Sequence, residues 1–298
     1  MSYWFFRLLA AATRVTPRRV LCAACRLLGA VVHFVRRQEA GVVEAKLQRV
    51  AAFRGESLPA GEARRRARNV YVSFIKTVMD YFYFGAHPEE LPPLVEVGNI
   101  GLLEETRARG QGTIIISAHV GSVDNGAAIV ARHGYVCHIV VITQHDPRQD
   151  ELFQHQRHTR HMRLIPIGRA TRECVRAIQR NEAVALVGDR DFTPNRDTVM
   201  FFGAPARLPS GAARLALATG AAIVFSYCVR LPGDRFRLYF CDPIYPDKAS
   251  DTVEGVQRQI AERLERNIGQ HTDQWHIFNN LWDTDADWRL AQTYTRQK

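Results

Sequence analysis

The sequence predicts an α/β fold in which helices flank a mixed, largely parallel central sheet, with an amphipathic helical region at the N-terminus. Short apolar runs rich in β-branched residues, such as GTIIISAHV (112–120) and HIVVIT (138–143), have the length and character of buried strands. These runs alternate with stretches of helical periodicity, and such alternation builds parallel sheets covered on both faces. Hydrophobic residues make up 46% of the chain and charged residues 23%, which is a globular composition.

The N-terminal part of the chain reads as helical. We predict a membrane-associating helical region over residues 1–50 and a main domain over residues 51–298. The runs 3–12 and 20–35 are apolar, but arginines interrupt them, so neither reaches the roughly 18–20 apolar residues of a spanning helix. The pattern fits helices that lie in the membrane interface, with aromatic side chains in the bilayer and arginines on lipid phosphates. An amphipathic helical pair packed on the main domain stays an open alternative.

The main domain begins with a predicted helix, because residues 70–84 carry apolar side chains three and four positions apart. Pro92 and Pro93 end this helical region. From residue 112 the chain alternates between strands and helices. In chain order the predicted elements are strands at 112–120 and 138–143, a helix at 150–163, a strand at 163–168, a helix at 170–181, a strand at 183–188, an irregular segment at 189–209, a helix at 210–219, strands at 221–230 and 235–243, and a helix at 252–270.

The charge of the chain indicates an anionic partner. The formal net charge is +10, and nucleic acid, an anionic membrane face and an acidic carrier protein would all match it. No nucleic-acid-binding signature is recognisable and the arginines cluster in several separate places, so we expect no nucleic acid partner. The six cysteines lie mostly in apolar runs, as in a reducing compartment. For the C-x-x-C of Cys22 and Cys25, apolar packing is favoured over zinc or redox chemistry.

The sharpest local feature is S-A-H-V-G-S-V-D-N-G (117–126), at the exit of the first strong strand. His119 and Asp124 are five residues apart, which on a continuous helix separates them by about 140°. They can meet only if His119 lies in a strand-to-helix turn, which Gly121 permits and Ser122 could cap. Asp124 would then lie in the first helical turn, accept one imidazole N–H and leave the other ring nitrogen free as a base.

That arrangement suits acyl transfer without a covalent enzyme intermediate. His119 would take the proton of an acceptor hydroxyl as the oxygen attacks a thioester carbonyl, and Asp124 would stabilise the imidazolium. The spacing alone fits equally well a histidine that only caps a strand end. A serine hydrolase is disfavoured because no G-x-S-x-G elbow is present. The H-x2-H-x2-H motif of His155, His158 and His161 is interleaved with arginines, so a basic surface is favoured there over a metal site.

Three later segments of the sequence indicate a family that the chain resembles. The segments are E-A-V-A-L-V-G-D-R-D (182–191), the run M-F-F-G-A-P-A-R-L-P-S-G-A-A-R-L-A-L-A-T-G-A-A-I-V (200–224) and H-T-D-Q-W-H-I-F-N-N-L-W (271–282). Together with the H-x4-D motif, they resemble the lipid A biosynthesis acyltransferase family, most closely the branch that includes phosphatidylinositol mannoside acyltransferases. The resemblance runs in order from about residue 65 to residue 282.

The resemblance implies roles for particular residues. His119 and Asp124 match the catalytic pair of the family. Arginines that match the family pattern are assigned to phosphate or oxyanion contacts, because a guanidinium forks onto such groups. A structural ion pair is the alternative for Asp189 and Arg190. The residues expected to bind substrate are Arg157, Asp189, Arg190, Asp191, Gly203 and Ser210.

The resemblance also implies an activity and its partners. We expect an O-acyltransferase whose co-substrate is acyl-ACP or acyl-CoA, with no metal, redox or nucleotide cofactor besides that donor. Its acceptor would be a hydroxyl of a lipid or glycolipid, and its place the cytoplasmic face of a bacterial inner membrane, bound peripherally or monotopically to anionic lipid. An inactive family member that serves as a membrane or lipid-binding scaffold is the alternative. Many family members carry a long spanning N-terminal helix, from which this arginine-interrupted N-terminus departs.

Overall fold

The N-terminal third of the protein is helical. The computed structural model describes residues 3–144, 146–158, 162–193, 197–286 and 289. Four helices come first, and α4 packs against the other three. They are α1 (Tyr3–Val15), α2 (Arg18–Val35), α3 (Arg37–Phe53) and α4 (Ala60–Ala86).

The two apolar N-terminal runs form α1 and α2, as predicted, and Pro17 separates them. The division of the chain at residue 50 stays a prediction, and α3 continues through that position. A buried ion pair holds α2 in place, since Arg18 Nε donates to Asp80 Oδ1 of α4 at 2.8 Å. The same carboxylate accepts from Arg230 at 2.6 Å, through Oδ2. Asp80 is fully buried. The position of α2 is therefore tied to the core rather than left to surface contacts.

A seven-stranded sheet forms the rest of the core, in the order β1-β9-β8-β2-β5-β3-β4. Every neighbouring pair is parallel except β8 and β9, which form an antiparallel hairpin. The predicted mixed, largely parallel sheet flanked by helices is therefore confirmed. The strands are β1 (Val95–Gly98), β2 (Thr113–Ser117), β3 (Cys137–Val141), β4 (Arg163–Pro166), β5 (Ala183–Val187), β8 (Ala222–Arg230) and β9 (Phe236–Ile244).

Helices cover both faces of this sheet. Within β2, Ile114 and Ile116 face a cluster with α8, α9 and α10, while Ile115 faces a second cluster with α4, α5 and α6. This alternation follows from the two-residue period of a strand, and it explains why all three of these consecutive positions are apolar. The covering helices are α5 (Gly101–Ala108), α6 (Val123–Arg132), α7 (Pro147–His158), α8 (Ala170–Gln179), α9 (Gly211–Thr219) and α10 (Val253–Gln270).

A small separate hairpin, β6 (Val199–Phe201) and β7 (Ala204–Ala206), lies in the segment predicted to be irregular. Phe202 and Gly203 form its two-residue turn, both with positive φ (48° and 76°), as tight hairpins of this length require. The Phe202 ring is buried and Gly203 borders Phe53. The hairpin packs against α10.

Candidate active site

His119 lies in the turn between β2 and α6, as the motif predicts. β2 ends at Ser117 and α6 begins at Val123. Gly121 has φ +64°, and a Cβ there would collide with the backbone carbonyl of Cys228, so only glycine fits this turn. The His119 side chain is about a third exposed (35%) and borders a large cavity.

The carboxylate that contacts the His119 imidazole belongs to Asp189. His119 Nδ1 lies 2.7 Å from Asp189 Oδ1, and the His119 backbone N–H donates to Asp189 Oδ2 at 2.9 Å. Burial alone would raise the pKa of Asp189, but the His119 imidazole and the hydrogen bonds to the carboxylate hold that pKa below its usual range. An ionised carboxylate can only accept, so Nδ1 carries a proton, and in the neutral form of the imidazole the lone pair is at Nε2.

Strand register explains this pairing. β2 and β5 are parallel neighbours in which Ser117 lies opposite Val187, and these are the last residues of the two strands. His119 and Asp189 each follow their strand by two residues, so they meet at the same edge of the sheet. Carboxyl ends of adjacent parallel strands are the usual place for ligand sites in open α/β sheets.

The predicted contact between Asp124 and the imidazole is wrong in this structure. Asp124 Oδ1 instead accepts from Arg157 Nε at 2.8 Å, and among the described residues no hydrogen bond joins Asp124 to His119. The reason is that α6 begins after the turn and directs its first-turn carboxylate towards α7, while β5 supplies the closer acid. Asp124 and Arg157 both border the cavity beside His119.

Arg157 is a strongly held cation. Burial would lower the pKa of its guanidinium, but Asp124, Tyr81 and Asp150 raise it above the usual value. Its guanidinium carbon also lies 5.5 Å from the centre of the Tyr81 ring. His119, Asp124 and Arg157, all singled out by the sequence, therefore border the same cavity.

The D-R-D segment separates into three different environments. Asp189 contacts His119, while the Arg190 guanidinium lies 4.6 Å from the Phe192 ring and borders the cavity. Asp191 borders the cavity too, but its carboxylate accepts from the Thr193 backbone N–H at 2.8 Å and lies 3.6 Å from Arg207. Burial raises the pKa of Asp191. The Asp191 carboxylate therefore mainly organises the loop.

The two remaining predicted residues lie apart from each other. Ser210 borders the cavity at the start of α9, where its hydroxyl accepts from Arg214 Nε at 3.1 Å. Gly203 lies in the β6–β7 turn and is not among the cavity-lining residues. Its positive φ accounts for the glycine, so we assign it an architectural role.

The cavity itself has a volume of about 850 Å³. Most of its wall is apolar, and a smaller part is polar and includes His119. The apolar wall includes Tyr81, Ile139, Val141, Ile142, Phe153 and Leu186, while His119, Asp124, Arg157, Arg190, Arg214 and His276 are the main titratable groups. A mostly apolar cavity with a few convergent polar groups is typical of a site for a largely hydrophobic ligand.

The segment after α10 completes the site, which the residue pattern alone did not indicate. The Gly121 backbone N–H donates to the Gln274 carbonyl at 3.0 Å, and the His276 backbone N–H donates to the His119 carbonyl at 2.7 Å. His276 borders the cavity, and burial lowers its pKa to about 3, so its imidazole is neutral. The family resemblance includes this segment but implies no catalytic or substrate-binding role for a residue in it.

The H-x2-H-x2-H motif is only partly described. His155 is exposed on α7, His158 is the last residue of that helix, and His161 lies outside the described residues. Among the described residues, one group of three side chains has ligand atoms close enough to share a metal ion, namely His87, Glu89 and Glu90. None of these three residues borders the cavity.

Comparison with known proteins gives the family. Residues 1–284 match the profile of the family described as bacterial lipid A biosynthesis acyltransferase. The chain is 29% identical over 208 residues to a phosphatidylinositol mannoside acyltransferase of Mycobacterium tuberculosis (strain CDC 1551 / Oshkosh), which covers 67% of this chain and 64% of that relative. It is 33% identical over 118 residues to a protein of the same name from Mycolicibacterium smegmatis, covering 39% and 37%. The chain thus spans a little less than two thirds of the length of the M. tuberculosis protein, and it belongs to the bacterial lipid A biosynthesis acyltransferase family.

Proposed function

We propose that this protein is an O-acyltransferase that moves a fatty acyl group from an acyl thioester, acyl-ACP or acyl-CoA, to a hydroxyl of a lipid or glycolipid. The observation that carries the proposal is the contact between His119 and the buried Asp189 at the edge of a large apolar cavity. Family membership and the relatives named phosphatidylinositol mannoside acyltransferase support the same reaction.

In the proposed reaction His119 acts as general base. Its Nε2 takes the proton of the acceptor hydroxyl as that oxygen forms a bond to the thioester carbonyl carbon. The carbon–sulfur bond then breaks, and the departing thiolate receives the proton from the imidazolium. Asp189 fixes the ring and stabilises its positive charge, and general-base assistance of this kind contributes about 10²–10⁴-fold in rate.

The cavity fits the two ends of an acyl thioester. Its apolar wall, including Ile139, Val141 and Leu186, suits the fatty acyl chain. Arg190 and Arg214 also border the cavity, and guanidinium groups suit the phosphates that acyl-ACP and acyl-CoA both carry. The reaction as proposed needs no metal, redox or nucleotide cofactor besides the donor.

The proposal includes attachment to the cytoplasmic face of the inner membrane. Helices α1 and α2 expose large apolar side chains, including Trp4 (58%), Leu8 (71%), Leu27 (71%) and Phe34 (69%), between arginines. Such helices bind membranes through apolar insertion and through attraction to anionic lipid. Among the described residues, no helix is both long and apolar enough to cross a bilayer.

The test is turnover by the purified full chain. Acyl-ACP and acyl-CoA would be supplied separately with extracted bacterial membrane lipids, and acylated products identified by mass spectrometry. We expect His119→Ala to lose at least about 10²-fold in turnover while it still unfolds as a folded protein in a thermal melt. His133→Ala is the matched control, because that imidazole bonds to the Ile129 carbonyl of its own helix. Wild-type turnover by His119→Ala, or no product from the wild type, would contradict the proposal, and the latter would favour a scaffold.

A further inference from the structure

The carboxylate of Asp189 has a third hydrogen-bond donor besides the two from His119. Trp275 Nε1 donates to Asp189 Oδ2 at 2.7 Å, and both side chains are fully buried. In the proposed reaction Asp189 acts on the imidazole through Oδ1, which contacts His119 Nδ1. The indole N–H therefore bonds to one oxygen of the carboxylate, and the imidazole bonds to the other.

The indole is itself held in place from a distant part of the chain. Lys46 of α3 is buried (2% exposed), and its ammonium donates to the backbone carbonyls of Trp275 and Ile277. The same ammonium lies 4.3 Å from the centre of the indole ring, a favourable cation–π distance. The rings of Phe201 and Phe202 pack against other parts of the indole. The N–H of Trp275 thus has little freedom to turn away from Asp189.

The position of this donor matters for the reaction. A carboxylate can rotate about its Cβ–Cγ bond, and only one orientation places Oδ1 on His119 Nδ1. Two donors on Oδ2, the His119 backbone N–H and the Trp275 indole, hold that orientation. Hydrogen bonds between buried charged and neutral groups are among the stronger ones in proteins. Without the indole, the orientation of the carboxylate would depend on His119 alone, although the carboxylate is the group that orients the His119 ring.

We propose that Trp275 is a positioning residue for acyl transfer: its indole N–H fixes the Asp189 carboxylate so that His119 presents Nε2 to the acceptor hydroxyl. The proposal rests on the proposed function. It assigns Trp275 no contact with substrate and no proton transfer of its own. Lys46 supports it by holding the backbone on both sides of His276.

The test removes the donor and keeps an aromatic ring. For Trp275→Phe we expect kcat to fall about 10–100-fold, the factor that corresponds to the loss of one hydrogen bond to a charged group. The KM for the acyl thioester should stay unchanged, because the indole does not border the cavity. Trp282→Phe is the matched control: this second indole of the same segment donates to the Phe201 backbone carbonyl at 2.8 Å. It should change thermal stability but leave kcat near the wild-type value.

A double-mutant cycle separates positioning from a merely structural role. In the Asp189→Asn background, Trp275→Phe should have little further effect on kcat, because the interaction it acts through is already altered. An equal loss of kcat in both backgrounds, or a Trp275→Phe kcat within about twofold of wild type, would overturn the proposal. Should Trp275→Phe fail to fold, Lys46→Met is measured in the same cycle, with a smaller loss expected that also disappears with Asp189→Asn.

The outcomes also distinguish this inference from the proposed function. If His119→Ala loses turnover while Trp275→Phe retains it, the positioning role is wrong and the acyltransferase mechanism stands. If His119→Ala itself retains turnover, the mechanism fails, and the role of Trp275 in it fails as well.

Discussion

Replacing the two candidate acids one at a time tests which of them serves the imidazole. Asp189→Asn replaces a buried carboxylate that accepts from three donors, at 2.7, 2.9 and 2.7 Å. Asp124→Asn changes a partly exposed carboxylate whose contact is with Arg157. Both variants replace a carboxylate by a carboxamide, but only Asp189 contacts the imidazole. Their effects on turnover therefore show which acid serves His119.

The expected magnitude follows from the geometry. An asparagine at 189 can offer its carboxamide N–H to His119 Nδ1, which would leave the proton on Nε2 and remove the base. The same substitution in a serine protease triad costs about 10⁴-fold in kcat. Because His119 here acts on a hydroxyl without a covalent intermediate, we expect a loss of about 10²–10⁴-fold for Asp189→Asn. For Asp124→Asn we expect a smaller loss of kcat, since the imidazole keeps its partner.

The assay is transfer of a labelled acyl group from the thioester to lipid, with kcat and KM measured for the wild type and both variants. Thermal unfolding controls for stability, because Asp189→Asn also weakens the bonds from the His119 backbone and from Trp275. The pKa of Asp189 is held below its usual range, so at neutral pH the ionised carboxylate makes its full contribution to the free energy of unfolding. That contribution is lost only as the pH falls below about 3.9 towards the lowered pKa. Near-wild-type turnover by Asp189→Asn, together with an inactive Asp124→Asn, would refute the reasoning.

Two further predictions concern the N-terminal helices. Leu8→Asn combined with Leu27→Asn should weaken binding to vesicles that contain anionic phospholipid by about 10-fold or more, since burying one leucine contributes about 1.5–3 kcal/mol. The control is Met200→Asn, which changes an exposed apolar position on β6. Unchanged co-sedimentation of the double variant with vesicles would exclude α1 and α2 as the anchor. Burial lowers the pKa of Lys46 from 10.5 to about 7. Between pH 7 and pH 10 the unfolded chain therefore binds more protons than the folded chain. The free energy of unfolding, measured relative to Lys46→Met, should rise over that range. Denaturant unfolding of both proteins across this range measures the difference, and parallel pH profiles would show that Lys46 does not titrate there.

Much of the fold could be predicted from the sequence because its signals are local. The run 112–120 has three consecutive isoleucines, Ile114 to Ile116, as a strand needs when both of its faces are covered, and β2 is buried throughout. The arginines that interrupt the first two apolar runs likewise indicated from the sequence that neither run is long enough for a typical spanning helix. The β6–β7 hairpin was missed because its strands are three residues long, too short for a periodic signal.

The candidate site was only half predictable, and the physical reason is register. The chain order placed His119 at a strand exit, and Gly121 indicated the turn that follows. The nearest acid in the sequence, Asp124, then appeared to be the partner, because sequence spacing is all that a linear pattern offers. The pairing of β2 with β5 instead sets Asp189 opposite His119, across 70 residues of chain.

The groups around Asp189 could be predicted from the sequence even less than Asp189 itself, because tertiary packing brings them together. Trp275 and Lys46 are 229 residues apart, and nothing in the residues around either one indicates that they meet. They meet because α3 and the segment after α10 pack together beneath the turn that carries His119. Local residue patterns therefore predicted the elements and the base, whereas the alignment of distant strands and helices selected the acid and the groups that hold it.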